Sequence, residues 1–189
     1  MSRPVDRPTD RATGGPADRL AGTQAGRPAV FESAEAVARA FFARWNDGDA
    51  DGLAVLFAKD ADFVNVVGLW WRGRAAIRRA HAYGFRHIFH ASRIEITELS
   101  VRSLGPGVYM VHTVSTLDGQ IAQAVPTNQI DQTGPDGEPA ARRVAVMSML
   151  IRRRAAGFEI VSCHVTDRVE GADTYIRTGA GLAPVRYRP

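Results

Sequence analysis

Apolar residues recur along this chain in two periods. In "SAEAVARAFFARWN", residues 33–46, Val37, Phe41 and Trp45 stand at i, i+4 and i+8 with Phe42 beside them. That spacing is the stripe of an amphipathic helix. Ser33 is a suitable N-cap, and "NDGD" (46–49) stops the helix. A short second helix is expected over Ala50 to Phe57, carrying Leu53, Leu56 and Phe57 inward. "DFVNVVG" (62–68) then reads as a strand from its β-branched and aromatic content, and "LWWRG" (69–73) as a second short strand closing a hairpin. After Gly73 the helical period returns. Ile77, His81, Gly84, Phe85 and Ile88 share one face, Arg79, Arg86 and His90 lie opposite, and His87 sits at the edge.

From there the period is two. "SRIEITELSVRSL", "GVYMVHTVSTL", "RRVAVMSMLIRRR" and "FEIVSCHVTD" are four strand-like runs, with turns at Gly105–Gly107 and Arg154–Gly157. Residues 119–141 read as a long loop. Residues 1–28, rich in Pro, Gly, Arg, Asp and Thr without apolar periodicity, read as a disordered tail. The domain is therefore expected over 29–168, followed by an extension over 169–189 that extends or frays. In the last two runs Val144, Val146 and Leu150 alternate with Ala145, Met147, Met149 and Ile151, so both faces are apolar. A sheet with one wet face should alternate apolar with polar. Three N-terminal helices cover one face; the other is expected to meet a second copy in a homodimer, with the C-terminal tail as the alternative cover.

Charge narrows the partners. The net charge is +4, but residues 29–167 hold 15 basic and 15 acidic side chains, so the excess lies in the two ends. No basic stripe suits nucleic acid. No apolar run approaches the length of a membrane span, and the N-terminus lacks the apolar core of a secretory signal, so a cytoplasmic location is the default expectation. Cys163 is the only cysteine, which excludes an internal disulfide or a CxxC metal site. His87-x-x-His90 has a spacing that could bind metal, but its place on the outer helix face argues for solvation, and no metal is expected. There is no GxGxxG, P-loop or GxSxG, so no cofactor is implied.

The order helix, helix, strand pair, helix, then a four-stranded sheet describes an α+β cone, a curved antiparallel sheet on three N-terminal helices. In this order, and in "FFARWNDGDADGLAVLFAKDADFVNVVGLWWRGRAAI", "GVYMVHTVSTL" and "GFEIVSCHVTD", the chain resembles the nuclear-transport-factor-two-like, or cystatin-like, superfold of ketosteroid isomerases and SnoaL-like polyketide cyclases. The first block is most similar to the SgcJ/EcaC-type small proteins of enediyne and other antibiotic gene clusters, often labelled oxidoreductases. The resemblance covers roughly residues 31–168. It implies a pocket for a small hydrophobic, polyketide-like molecule. It also locates two departures. The general-base aspartate of ketosteroid isomerases falls at Asn65, an amide that cannot abstract a proton, and their oxyanion-binding tyrosine falls at Phe41, which has no donor.

The remaining candidates are weighed residue by residue. Asn65, polar within an apolar strand, either satisfies loop backbone or offers hydrogen bonds inside the cone. His81 is either a satisfied core histidine or a pocket acid/base group. His164 shares parity with Phe158, Ile160 and Ser162, which would aim it at the ligand if that face is concave; His112 is ambiguous between faces. Adjacent Trp70 and Trp71 cannot both point inward, so one should cap the cavity and the other pack outside. Phe41 and Phe85 complete the expected lining. Three functions remain open: a cofactor-free enzyme (cyclase, isomerase or oxygenase-like) using His81, His112 and His164, a non-catalytic binding or accessory protein, and a dimerisation module whose cavity is filled by Phe41, Phe85 and Met149.

Overall fold

The computed structural model describes residues 31–120, 142–179 and 181–187. The expected tail over 1–28 and most of the loop over 119–141 lie outside the described residues. Helix α1 spans Ala34–Asn46, α2 Ala50–Ala54 and α3 Arg74–His87. The strands are β1 (Phe57–Val64), β2 (Trp70–Arg72), β3 (Arg93–Gly105), β4 (Val108–Asp118), β5 (Arg143–Arg154), β6 (Gly157–Asp167), β7 (Thr174–Thr178) and β8 (Gly181–Val185).

Six strands form one sheet in the order β2-β1-β6-β5-β4-β3, while β7 and β8 form a separate hairpin. The sheet is mixed rather than wholly antiparallel, because β1 runs parallel to β6. Helix α1 starts as its sequence requires: the Ser33 hydroxyl accepts from the Ala36 amide at 3.0 Å. Its apolar stripe places Val37, Ala38, Phe41 and Phe42 in the core against the sheet's inner face. Asn46, at its last turn, acts as a piece of strand. Its Nδ2 donates to the Ile94 carbonyl at 2.9 Å and its Oδ1 accepts from the Ile94 amide at 2.8 Å, tying α1 to β3. Arg78 pairs with Asp51 and joins α3 to α2.

Three boundaries differ from expectation. Helix α2 ends at Ala54, and the sheet begins at Phe57, five residues before Asp62. The side chains at Phe57, Ala58 and Ala61 are fully buried, so a short apolar stretch that could serve either period is decided by the sheet. Asn65 therefore follows the strand instead of lying within it. The C-terminal stretch folds back as the β7–β8 hairpin, a two-strand pairing that leaves Tyr175, Ile176 and Leu182 exposed and so gave no alternation to read.

The inner face of β4 and β5 buries Val111, Thr113, Ser115 and Leu117 beside Ala145, Met147, Met149 and Ile151. On the outer face Met110, Val114, Val144, Val146 and Leu150 are half-buried in the single chain. In β6 the inner set is Ile160, Cys163 and Val165, which is not a strict two-residue period. Leu150 pairs with Ser162 but Ile151 pairs with Ile160, so Val161 is an extra residue in β6. This bulge reverses the parity of everything that follows it.

Candidate functional site

A cavity of about 120 Å³ opens between the inner sheet face and helices α1 and α3. His81 stands in its wall, 4 % exposed. The 3.6-residue period of α3 puts it one turn after Ile77 and one before Phe85, both buried on the same face. Its Nδ1 lies 2.9 Å from the Ile77 carbonyl. A carbonyl only accepts, so the proton sits on Nδ1, and in the neutral ring Nε2 is an acceptor. No described protein group donates to Nε2. Burial favours the uncharged ring and pushes the His81 pKa down to about 4, against a smaller opposing effect of the Ile77 bond. The imidazole is neutral at pH 7.

Aromatic rings enclose it. Phe63 lies 5.1 Å and Trp71 5.6 Å from the imidazole centroid, both near perpendicular to it, and Trp45 stands at 5.8 Å and 87°. Phe63 and Trp71 stack on each other at 5.2 Å and 20°. Phe85 and Phe89 complete the wall around Trp45. Gly84 faces the same space; a Cβ there would come within 3.1 Å of the Phe89 ring. Such walls suit a flat, mostly apolar molecule. The polar lining is sparse: Asn65, Ser115 and Arg143, with His81. The Trp45 indole N–H is buried without a partner.

The candidate residues separate. His81, Trp71, Phe85 and Asn65 line the cavity. Asn65 also does what a loop asparagine does: its Oδ1 accepts from the Val67 amide at 3.1 Å and the Leu69 amide at 2.8 Å, holding the turn between β1 and β2. Both readings of this residue thus describe part of it. Trp70 points outward, 54 % exposed, its Nε1 donating to Asp62 at 2.7 Å and the Arg72 guanidinium 4.0 Å over its ring. Phe41 is fully buried behind His81 at 6.0 Å and belongs to the core.

His164 and His112 do not reach the cavity. The bulge at Val161 turns His164 onto the outer face, opposite to what parity with Ile160 predicts. His112 lies between the inward Val111 and Thr113 and is exposed. The two face each other across Ser148, one row on the outside of the sheet. A shared acid/base set of His81, His112 and His164 therefore does not exist. Cys163 is buried inside, its thiol pKa raised by desolvation, and offers no nucleophile. Among the described residues no group of three or more His, Cys, Asp or Glu is placed to hold a metal.

Sequence reasoning missed Trp45, Phe63, Ser115 and Arg143. Trp45 and Phe63 each carry a signal, the last position of the α1 stripe and the inward parity of β1. Ser115 shares its face with Leu117. Arg143 has no such signal. It lines the cavity, and its Nε donates to Asp167 at the end of β6.

The family model of the SnoaL-like domain matches residues 38–157, which include His81 and the aromatic walls around it. The chain belongs to the SnoaL-like domain family. Solved structures share its fold. A protein from Caulobacter vibrioides with a cystatin-like fold is 26 % identical over 72 % of this chain and 87 % of its own, with a TM-score of 0.61. A ketosteroid isomerase-like protein from Erwinia carotovora atroseptica is 14 % identical over 71 % of this chain and 93 % of its own, at 0.54. A protein from Novosphingobium aromaticivorans with a provisional scytalone dehydratase name is 11 % identical over 82 % and 92 %, at 0.58. No curated protein shows a significant match. Among the described residues no helix is long and apolar enough to cross a membrane.

Proposed function

We propose that this SnoaL-like chain binds a small, largely apolar ring compound in its cone, and that His81 is the group that meets the compound's polar end. One observation carries the reading: a neutral imidazole with an unpartnered Nε2 stands in a cavity walled by Trp45, Phe63, Trp71, Phe85 and Phe89. A polyketide-like metabolite in a cytoplasmic secondary pathway fits these walls, as does a kinship to the small enediyne-cluster proteins. The open cavity weighs against a dimerisation module whose cone is filled by side chains.

The binding reading ranks ahead of the enzymatic one because no carboxylate lines the cavity beside His81. A base about three units below neutral pH removes a proton weakly. Turnover is the second reading, favoured by the free Nε2: with a substrate bearing an already acidic O–H or C–H, His81 would take the proton, as the names of the isomerase-like and dehydratase neighbours suggest. The half-buried outer face supports a homodimer, checked by sedimentation of the wild type and of Val146→Asp.

The test is native mass spectrometry of the purified full chain, with ligand-observed NMR using toluene as a minimal ring probe. The expected result is a retained small molecule or saturable toluene binding, weakened in Trp71→Ala and unchanged in Trp70→Ala. Neither retained molecule nor toluene binding sinks the reading.

A further inference from the structure

The free polar groups of the cavity stand in the wall and at the rim, and their placement specifies a ligand. Within the wall, the free acceptor is His81 Nε2, because the Ile77 carbonyl fixes the proton on Nδ1, and the Trp45 indole N–H is an unpartnered donor, a pair that suits a hydroxyl. At the rim, the free atoms are donors. Asn65 Oδ1 is committed to two backbone amides, which identifies the other end of the side chain as Nδ2, and nothing among the described residues accepts from it. Arg143 donates through Nε to Asp167, leaving its two Nη groups without a described acceptor. Asn65 follows the end of β1, and Arg143 opens β5 opposite Leu117 and beside Asp167, so both stand at the same end of the sheet. Between the two levels the walls are rings.

We propose that the cone takes a hydroxyaryl carbonyl compound, bound hydroxyl end inward, with the hydroxyl donating to His81 Nε2 and the carbonyl oxygen accepting from Asn65 Nδ2 and Arg143. This rests on the cavity-binding reading above. An inward carboxylate or phenolate is disfavoured, because the wall offers it no cation and desolvating a charge is costly. At the rim the Asp167 carboxylate already offsets the Arg143 charge, so a neutral carbonyl is matched better than a carboxylate. An ether in place of the hydroxyl would bring a second acceptor against Nε2 and leave Nε2 unpaired.

The test uses the full chain and three probes of one shape, 4-hydroxyacetophenone, 4-methylacetophenone and 4-ethylphenol, titrated by calorimetry near pH 7. The hydroxy ketone is expected to bind at least about fivefold tighter than either analogue lacking one polar group, the worth of one hydrogen bond. His81→Phe should erase the advantage over 4-methylacetophenone. Asn65→Asp keeps the turn acceptor and removes the donor; it should weaken 4-hydroxyacetophenone at least about fivefold and leave 4-ethylphenol unchanged. Equal binding of the hydroxy and methyl ketones by the wild type overturns the proposal and leaves the cavity reading standing. Binding of none of the three overturns both. The wild-type series decides the matter even where a variant fails to fold.

Discussion

The neutral state of His81 makes a stability prediction that needs no ligand. In the unfolded chain this imidazole takes a proton at its ordinary value of 6.5, and in the fold burial holds it to about 4. The folded state thus binds fewer protons across that interval, and stability falls as pH is lowered from 6.5 towards 4. The full gap corresponds to about 3 kcal/mol, and roughly 2 kcal/mol of it is lost by pH 5. For a domain of this size that is a fall of roughly 4–8 °C in Tm. The assay is urea and thermal unfolding at pH 7.5 and pH 5 for the wild type and His81→Phe, with an NMR titration of the His81 ring. The wild type should lose this stability and the variant should lose about 2 kcal/mol less. One opposing force is present in the structure. The rings around His81 would attract an imidazolium by cation–π contact. A ring midpoint at or above 6.5, or equal pH slopes in both proteins, would refute the argument, because those rings would then offset the cost of burial.

Other outcomes follow from single contacts. Asn65→Ala should destabilise by about 1–2 kcal/mol in urea, since two turn amides lose their acceptor, while Asn65→Asp stays near wild type. Gly84→Ala should weaken binding of toluene by pushing the Phe89 ring across the cavity, with a stability change within about 1 kcal/mol; unchanged affinity would mean the ring does not border the ligand. His112→Ala and His164→Ala should leave cavity ligands unaffected, and a loss of binding in either would place the site elsewhere. Ser33→Ala should cost about 1 kcal/mol through the lost cap on α1, read from the urea midpoint.

The fold was legible where one period ran for many residues. The stripes of α1 and α3 and the four long strands are such runs, and the α3 stripe places His81 and Phe85 on an inward face, whereas the sequence leaves open which of Trp70 and Trp71 points inward. The errors sit where the period is broken or too short. Phe57 to Ala61 could continue a helix or begin a strand, and only pairing with β6 decides it. Val161 looks like any strand valine, yet as an unpaired extra residue it exchanges the faces of Cys163 and His164. Arg143 lines the cavity and pairs with Asp167, 24 residues away, and no local pattern connects the two.

That one extra residue also divides the chemistry of the protein. Without the bulge, His164 would share the inner face with Ile160, and Cys163 would point outward. A second imidazole in the cone would supply the acid–base pair that a proton-transfer enzyme uses. With the bulge, the inner face presents Cys163 and Val165, both inert, and His81 is left as the single titratable group among rings. The outer face gains a row of His112, Ser148 and His164 instead. Deleting Val161 would leave Cys163 opposite Met149 and His164 opposite Ser148, so the exchange Cys163→His with His164→Cys is the sharper separation of binding from turnover. If the protein is a binder, that variant should lose ligand affinity, because a histidine enters an apolar wall. If it is an enzyme waiting on geometry alone, the same variant should keep affinity and change the pH profile of its reaction.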